Sequence, residues 1–168
     1  MSAIIVHHST VTTCALVLLS GCVSTGLEPF NQLQPTEVRE VTVDPSLEPL
    51  RHAEQMLRKQ AYNQAIAYYL AALQSEQTQP DALLGLASSY SLMGQFANAD
   101  IYFNNYKTLK GPDSAYHNDL GFSLMLRGEL AAARATLEQA IAQAPDSPTI
   151  TNNLRALKML EADMRPQS

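Results

Sequence analysis

Residues 113–145 read DSAYHNDLGFSLMLRGELAAARATLEQAIAQAP and are the clearest copy of a pattern that recurs along the chain. Its small residues recur upstream at a constant step of 34 positions (133 − 99 and 99 − 65), so that Ala133 is preceded by Ala99 and Ala65. Three further columns keep the same step: Gly121 with Ala87 and Ala53, Gly128 with Gly94 and Gln60, and Leu137 with Phe103 and Tyr69. Four columns in register indicate an internal repeat, which fixes the architecture before any single helix is considered.

Length and composition narrow the class of protein. The 168 residues allow one ordinary domain. A net charge of −5 argues against a nucleic-acid binder, which needs a basic face for phosphates. The only cysteines, Cys14 and Cys22, lie near the N-terminus. A disulfide framework and a cysteine metal site are therefore excluded for the rest of the chain.

The first 21 residues have the pattern of an export signal. An apolar run over residues 11–19 is interrupted only by Thr12 and Thr13. It is too short to span a bilayer, which needs about 20 apolar residues. A run of this length is typical of the h-region of a signal peptide.

The sequence Leu19-Ser20-Gly21-Cys22 closes this run and resembles the lipobox of bacterial lipoproteins. The resemblance implies that the signal peptide, residues 1–21, is removed. The Cys22 sulfur would then carry a diacylglyceryl group, with a fatty acyl chain such as palmitate on the new amine. Anchoring of this kind is firm, because each buried methylene contributes about 0.8 kcal/mol and two chains already suffice.

The residue after the cysteine bears on localisation. In lipoproteins of this type an Asp there usually retains the protein in the inner membrane, and this chain has Val23 instead. The resemblance therefore implies an outer-membrane lipid anchor that faces the periplasm. The n-region departs from the pattern, because it has no Lys or Arg and only His7 and His8. The alternatives are a signal peptide cut without lipidation and an apolar N-terminus that arose by chance.

Residues 22–45 form the predicted lipidated cysteine and flexible tether. They carry Pro29, Pro35 and Pro45 and lack an apolar period of 3.6 residues. The alternative is a short partner-binding segment at residues 41–43, where Val-Thr-Val has the composition of a strand that adds to a partner sheet.

A helical apolar period begins near residue 46 and continues to residue 165. It predicts helix-turn-helix units at about 46–79, 80–112 and 113–146, with turns at Gln60, Gly94 and Gly128. A last helix at 149–164 carries charged side chains such as Arg155 and Lys158. It is predicted to be a capping helix, because terminal units of solenoids need a polar outer face. The expected fold class is an all-α solenoid of three repeats and a capping helix.

The repeat columns resemble the tetratricopeptide repeat (TPR). That family has a large residue, Leu, a small residue and an aromatic in helix A, then small, aromatic and small residues in helix B, followed by Pro. The third unit supplies His117, Leu120, Gly121, Leu124, Ala133, Leu137, Ala140 and Pro145. The second supplies Leu83, Leu86, Ala87, Tyr90, Ala99 and Phe103, and departs at Tyr106. The first is weakest, with Pro49, His52, Ala53, Met56, Ala65, Tyr69 and Ala72, and its Pro80 comes three residues late.

No motif in the chain predicts catalysis. There is no GxxxxGK[ST], HExxH or GxSxG sequence. Outside the signal, His52 and His117 lack metal-ligand spacing, so core or interface filling is favoured over a ligand or a pH switch. The carboxylates are scattered, and a solvated face is expected for Glu54, Asp81, Asp100, Asp119, Glu129 and Glu138. We expect no enzyme activity, no cofactor and no metal.

The TPR resemblance implies a groove lined by the A helices, where a protein partner binds. The residues predicted to face the groove are Leu84, Ser88, Asn118, Phe122, Met125, Asn152 and Met159, together with Arg51, Glu54, Arg58, Ser91 and Ala156. Asn118 and Asn152 are 34 apart, and stacked amides can pair with a peptide backbone. The alternative is that they bridge neighbouring helices. The groove lacks the Lys/Arg set of TPR domains that bind C-terminal carboxylates.

The short length, the lipobox and the segment NDLGFSLMLRGELAAARATLEQAIAQAPDSPTITNNL resemble the TadD lipoproteins of tight-adherence (Flp) pilus assembly. That family is implied to support assembly of the secretin or pilus at the outer membrane, with secretin or pilus-assembly components as partners. One alternative is a secretin pilotin of the type IV pilus class. Another is a lipoprotein adaptor for peptidoglycan hydrolases or synthases.

Overall fold

The computed structural model describes residues 48–164. The signal peptide, Cys22, the tether and residues 41–43 lie outside them. The described chain forms seven helices: α1 (Pro49–Arg58), α2 (Tyr62–Ala72), α3 (Gln79–Leu92), α4 (Phe96–Lys110), α5 (Ser114–Leu126), α6 (Leu130–Gln143) and α7 (Pro148–Asp163). Within residues 48–164, no helix is long and apolar enough to cross a membrane.

The helices pack as three successive pairs. Helix α1 pairs with α2, α3 with α4 and α5 with α6, and α7 packs on α6 and α5. The first helices of the units also contact one another in order, α1 with α3, α3 with α5 and α5 with α7. The predicted all-α solenoid of three helix-turn-helix units and a last helix is confirmed.

The three intra-unit turns are copies of one another. The N–H groups of Ala61, Gln95 and Glu129 donate to the carbonyls of Met56, Tyr90 and Leu124, at 2.9, 2.9 and 3.0 Å. These donors lie 34 residues apart (95 − 61 and 129 − 95). The residue before each donor has a positive φ, which is 58° at Gln60, 71° at Gly94 and 77° at Gly128. A bond of this type satisfies carbonyls that the helix end leaves free. The turn column seen in the sequence is therefore a column of left-handed C-terminal caps.

Small residues let the helices approach closely at two kinds of contact. Within the third unit, a Cβ on Gly121 would lie 2.6 Å from Cγ of Leu137. Between the first two units, a Cβ on Gly85 would lie 2.2 Å from the ring of Tyr69. The sequence columns predicted the first contact. They did not predict the second, because Gly85 has no small counterpart one period away.

The connections between units differ in length. Six residues join α2 to α3, and the hydroxyl of Thr78 donates to the carbonyl of Ala72 at 2.5 Å across this loop. Three residues join α4 to α5. There the carboxylate of Asp113 caps α5 by accepting from the Tyr116 N–H at 3.0 Å and from the Tyr106 hydroxyl at 2.8 Å. The late position of Pro80 in the sequence reflects the longer first loop.

Helix α7 ends the solenoid of the described chain with a polar face. Thr151, Arg155 and Lys158 are exposed on it. These three positions lie one period after His117, Gly121 and Leu124, which are on α5, the helix that packs against α6. Helix α1, at the other end, borders an apolar cavity of about 480 Å³ that is also lined by the end of α2.

Candidate partner-binding face

Apart from Arg51, Glu54 and Arg58 on α1, the predicted groove residues lie on α3, α5 and α7, which contact one another in order. We call the surface that these three helices share the A-helix face. Side chains of adjacent A helices hydrogen-bond along it. The face is therefore tied together by polar contacts between units, and these contacts decide which of its side chains are free.

Asn118 is one of these bridging residues. Its side chain is buried, with 8% exposed. Its Nδ2 donates to Oδ1 of Asp119 at 2.9 Å, and its Oδ1 accepts from Nδ2 of Asn153 at 2.9 Å. The structure thus joins α5 to α7 through the amide of Asn153, which follows the predicted Asn152 in the sequence. Asn152 is exposed and accepts from Nη1 of Arg155 at 3.1 Å, so the structure does not bring Asn118 and Asn152 together.

Ser88 extends this chain of contacts to α3. Its hydroxyl donates to Oδ2 of Asp119 at 3.4 Å. The four side chains Ser88, Asp119, Asn118 and Asn153 therefore form a continuous polar ladder across α3, α5 and α7. Below it, the hydroxyl of Ser91 donates to that of Ser123 at 2.8 Å, and both are buried. Most hydrogen-bonding capacity of the predicted polar groove residues is used inside the protein.

Large apolar side chains are exposed near the C-terminal ends of α5 and α7. Leu84 and Met125 are buried and Phe122 is half-buried, whereas Met159 is 64% exposed. Leu126 and Leu160 are also exposed, at 42% and 41%. We call Leu126, Met159 and Leu160 the apolar end of the A-helix face. A 34-residue column of Leu92, Leu126 and Leu160 was present in the sequence but was not used to predict this surface.

Asp119 is the charged group of the polar ladder, and its environment contradicts the solvated face expected from the sequence. It is half-buried, and burial raises the pKa of its carboxyl to about 6. Hydrogen bonds from Asn118 and Ser88 act in the opposite direction, and the charge of Asp113 adds to the increase. No basic side chain of residues 48–164 lies within ion-pair distance of it.

Asp119 also borders an open cavity of about 270 Å³ between the first turns of α5 and α7. The cavity is lined by Ser114, Ala115, Asn118, Asp119, Ala144, Ser147, Thr149 and Ile150. We call it the α5–α7 pocket. Asp119 is the one ionisable residue in its lining. The pocket thus combines neutral hydroxyl and amide groups with a single carboxylate.

Comparison with known proteins identifies the repeat. The profile of the tetratricopeptide repeat family matches residues 81–109 and 119–147. The chain folds as a TPR solenoid. No match was found among the curated proteins.

Solved TPR domains share this fold at low sequence identity. The first TPR domain of human RPAP3 has 20% identity and a TM-score of 0.58, covering 71% of this chain and 96% of that domain. The first TPR of Spaghetti (RPAP3), bound to the HSP90 peptide SRMEEVD, has 21% identity and a TM-score of 0.54, covering 73% and 99%. The C-terminal TPR-containing domain of a Plasmodium falciparum FK506-binding protein has 19% identity and a TM-score of 0.50, covering 77% and 100%.

The first TPR unit contributes charged residues that pair locally. Arg51 binds Glu48 at 2.8 Å, and Arg58 lies 3.8 Å from Glu54. All four side chains are about half-exposed or more, so these ion pairs contribute little to stability.

The two histidines of the TPR domain pack against aromatic rings. His52 stacks on Tyr68 with centroids 5.5 Å apart, and His117 meets Tyr116 edge-on at 5.4 Å. Both are half-buried. Within residues 48–164, no group of three or more His, Cys, Asp or Glu side chains is arranged to hold a metal ion.

Proposed function

We propose that this protein is an adaptor that binds protein partners through its A-helix face. TPR repeats are typically scaffolds for protein interactions rather than catalysts. The observation that carries the proposal is the exposed apolar end, where Leu126 ends α5 and where Met159 and Leu160 lie near the end of the neighbouring α7. Large apolar side chains grouped on a surface mark interaction sites, and Met adapts its shape to different partners.

We further propose that the adaptor is held at the outer membrane and supports assembly of a Flp/Tad-type pilus or secretion apparatus. Two sequence features support this finer proposal. Leu19-Ser20-Gly21-Cys22 resembles a lipobox, and residues 118–154 resemble TadD. The secretin and the pilus-assembly components are the proposed partners.

The chemistry of the face argues for a partner different from an acidic peptide tail. The RPAP3 domain named above is bound to a peptide that contains two Glu and one Asp. In the present chain the carboxylate of Asp119 lies on the A-helix face, with Asp113 close enough to raise its pKa. An acidic peptide would therefore meet like charges here.

The apolar end can be tested by crosslinking in intact envelopes. Replacing Leu126 and Leu160 by Ser should reduce capture of the secretin or pilus-assembly components at least fivefold, because the partner loses apolar contacts. The matched control is Leu109→Ser on α4, which alters a leucine of similar exposure, 48%, away from the A-helix face. Unchanged capture with the double variant, or an equal loss with the control, would refute binding through this face.

The same experiment tests the machine that the adaptor serves. Recovery of the secretin and its assembly partners supports the pilus role. Recovery of peptidoglycan hydrolases or synthases instead would replace it with the cell-wall alternative.

The lipid anchor has a separate test. Cys22→Ala should move the protein from the membrane fraction to the soluble fraction, because the acylated sulfur is removed. The double Leu variant serves as control, because it keeps Cys22 and should remain in the membrane fraction. If the Cys22→Ala variant remained in the membrane fraction, the lipoprotein proposal would be refuted.

A further inference from the structure

We propose that the α5–α7 pocket receives a basic side chain of the partner polypeptide, with Asp119 as its counter-charge. This inference rests on the proposed function, because it assigns chemistry to the same A-helix face. It gives the partner a recognisable feature, namely a Lys or Arg that projects from the bound segment.

The first argument is the missing counter-charge. Asp119 is half-buried and receives only neutral donors, the amide of Asn118 at 2.9 Å and the hydroxyl of Ser88 at 3.4 Å. Carboxylates that leave water are usually paired with a cation or coordinate a metal. Residues 48–164 provide no basic group within ion-pair distance and no metal-binding group of acidic, His or Cys side chains. A cation supplied by a partner would form the ion pair that this carboxylate lacks within residues 48–164.

The second argument is the hydrogen-bonding capacity that the pocket retains. A carboxylate has about four lone-pair sites, and the two neutral donors use one on each oxygen of Asp119. The hydroxyls of Ser114, Ser147 and Thr149 line the same cavity. Hydroxyl oxygens accept hydrogen bonds from ammonium or guanidinium groups. The lining thus offers several acceptors and no basic residue that would repel a cation.

The third argument is space and charge. The volume of about 270 Å³ exceeds what one side-chain terminus needs, and the cavity is open to the surface. The charge of Asp113 adds negative potential at Asp119, since it disfavours ionisation there. A Lys side chain can lay its methylenes against Ala115 and Ile150 while its ammonium reaches the carboxylate. These conditions favour a cation over an anion or a purely apolar group.

A displayed library of random twelve-residue peptides tests the inference with the full chain at pH 7.5. The selected peptides should be enriched in Lys or Arg at one position. For a selected peptide, Asp119→Asn should weaken binding at least tenfold, whereas replacing the basic residue of the peptide by Met should abolish that difference. Comparing Lys with Arg at this position shows which cation the pocket prefers. The control is Asp163→Asn, which removes the same charge at the exposed end of α7.

Each outcome decides between the inference and the function on which it rests. Selected peptides without enrichment in basic residues would overturn the role of Asp119 and leave the adaptor proposal standing. Equal binding by wild type and Asp119→Asn would do the same. Failure to select any peptide would count against both. Because Asn keeps the size of the side chain and can bond Asn118 and Ser88, thermal unfolding of Asp119→Asn separates lost recognition from lost folding.

Discussion

The first four helices and the last three are stabilised in different ways. The larger core cluster takes nearly all its buried residues from α1 to α4, and its large side chains include Tyr69, Tyr90, Tyr102, Phe103 and Tyr106. The smaller cluster consists of Met125, Ala133, Leu137 and Leu157. Solenoids are stabilised mostly by contacts within and between neighbouring units. The first part therefore holds most of the buried core, and the second part, which carries most of the candidate binding groups, has the smaller one.

Two residues, Tyr116 and Arg127, contribute much of the contact between these parts across the boundary between α4 and α5. Tyr116 of α5 inserts into the larger cluster, edge-on to Phe103 at 6.0 Å and stacked on Tyr106 at 6.1 Å. Arg127 at the end of α5 forms a two-pronged ion pair with Asp100 of α4 and lies 5.0 Å from the ring of Phe96. The second part is thus tied to the first at both ends of α5.

The largest expected effect tests the tight packing of the first part. Gly85→Ala should lower the free energy of unfolding by about 3 kcal/mol, because its Cβ would overlap the buried ring of Tyr69. Gly121→Ala in the second part should cost less, about 2 kcal/mol, because Leu137 is more easily displaced than an aromatic ring. Urea denaturation measures both. Equal losses would show that the two parts are equally closely packed.

The next effect concerns the carboxylate of the polar ladder. The folded pKa of Asp119 is raised from 3.8 to about 6, so folding favours its protonated form. The protonated carboxyl therefore contributes fully to the free energy of unfolding below about pH 4, and this contribution is lost as the pH rises to about 6. At pH 7 the penalty is about 2–3 kcal/mol. Asp119→Asn should therefore stabilise the protein at pH 7 by about 2 kcal/mol. Calorimetry from pH 4 to 7 should show that the difference from wild type grows with pH, and a constant difference would contradict the burial argument.

A smaller effect tests the connection between the two parts. Arg127→Lys should destabilise the protein by about 1 kcal/mol, because Lys cannot reproduce the two-pronged contact with Asp100, whose side chain is nearly half exposed. Hydrogen exchange should report the loss mainly in α5 to α7. Uniform loss across all seven helices would instead show that the parts unfold together.

The smallest effect lies at the first turn. Gln60→Gly should stabilise the protein by about 0.5–1 kcal/mol, because Gln60 adopts a φ of 58° where the other units have glycine. The reverse change, Gly128→Ala, should destabilise by a similar amount. Thermal unfolding measures both, and opposite signs are required if the turns are equivalent.

The sequence predicted the fold well because its columns report contacts that repeat. Gly121 against Leu137 and the turns at Gln60, Gly94 and Gly128 each recur at one period, so their pattern is visible without coordinates. The contact of Gly85 with Tyr69 occurs at a single interface and leaves no periodic signal.

The candidate site was less predictable, since hydrogen-bond partners depend on side-chain direction. Asn118 and Asn152 share a column, yet the bond runs from Asn153 to Asn118, one residue away from the predicted register. Asp119 looked like any other carboxylate, because its burial results from α3, α5 and α7 together. Leu126 and Leu160 share a column with Leu92, but a column alone does not distinguish an exposed side chain from a buried one.

The polar face of α7 has a consequence for association between copies of the protein. Arg155 continues the column of Ala53, Ala87 and Gly121, and Lys158 continues that of Tyr90 and Leu124. A second copy that packed on this face would bury these cations, which is costly unless they are paired. Growth of the solenoid by stacking of copies on α7 is therefore disfavoured.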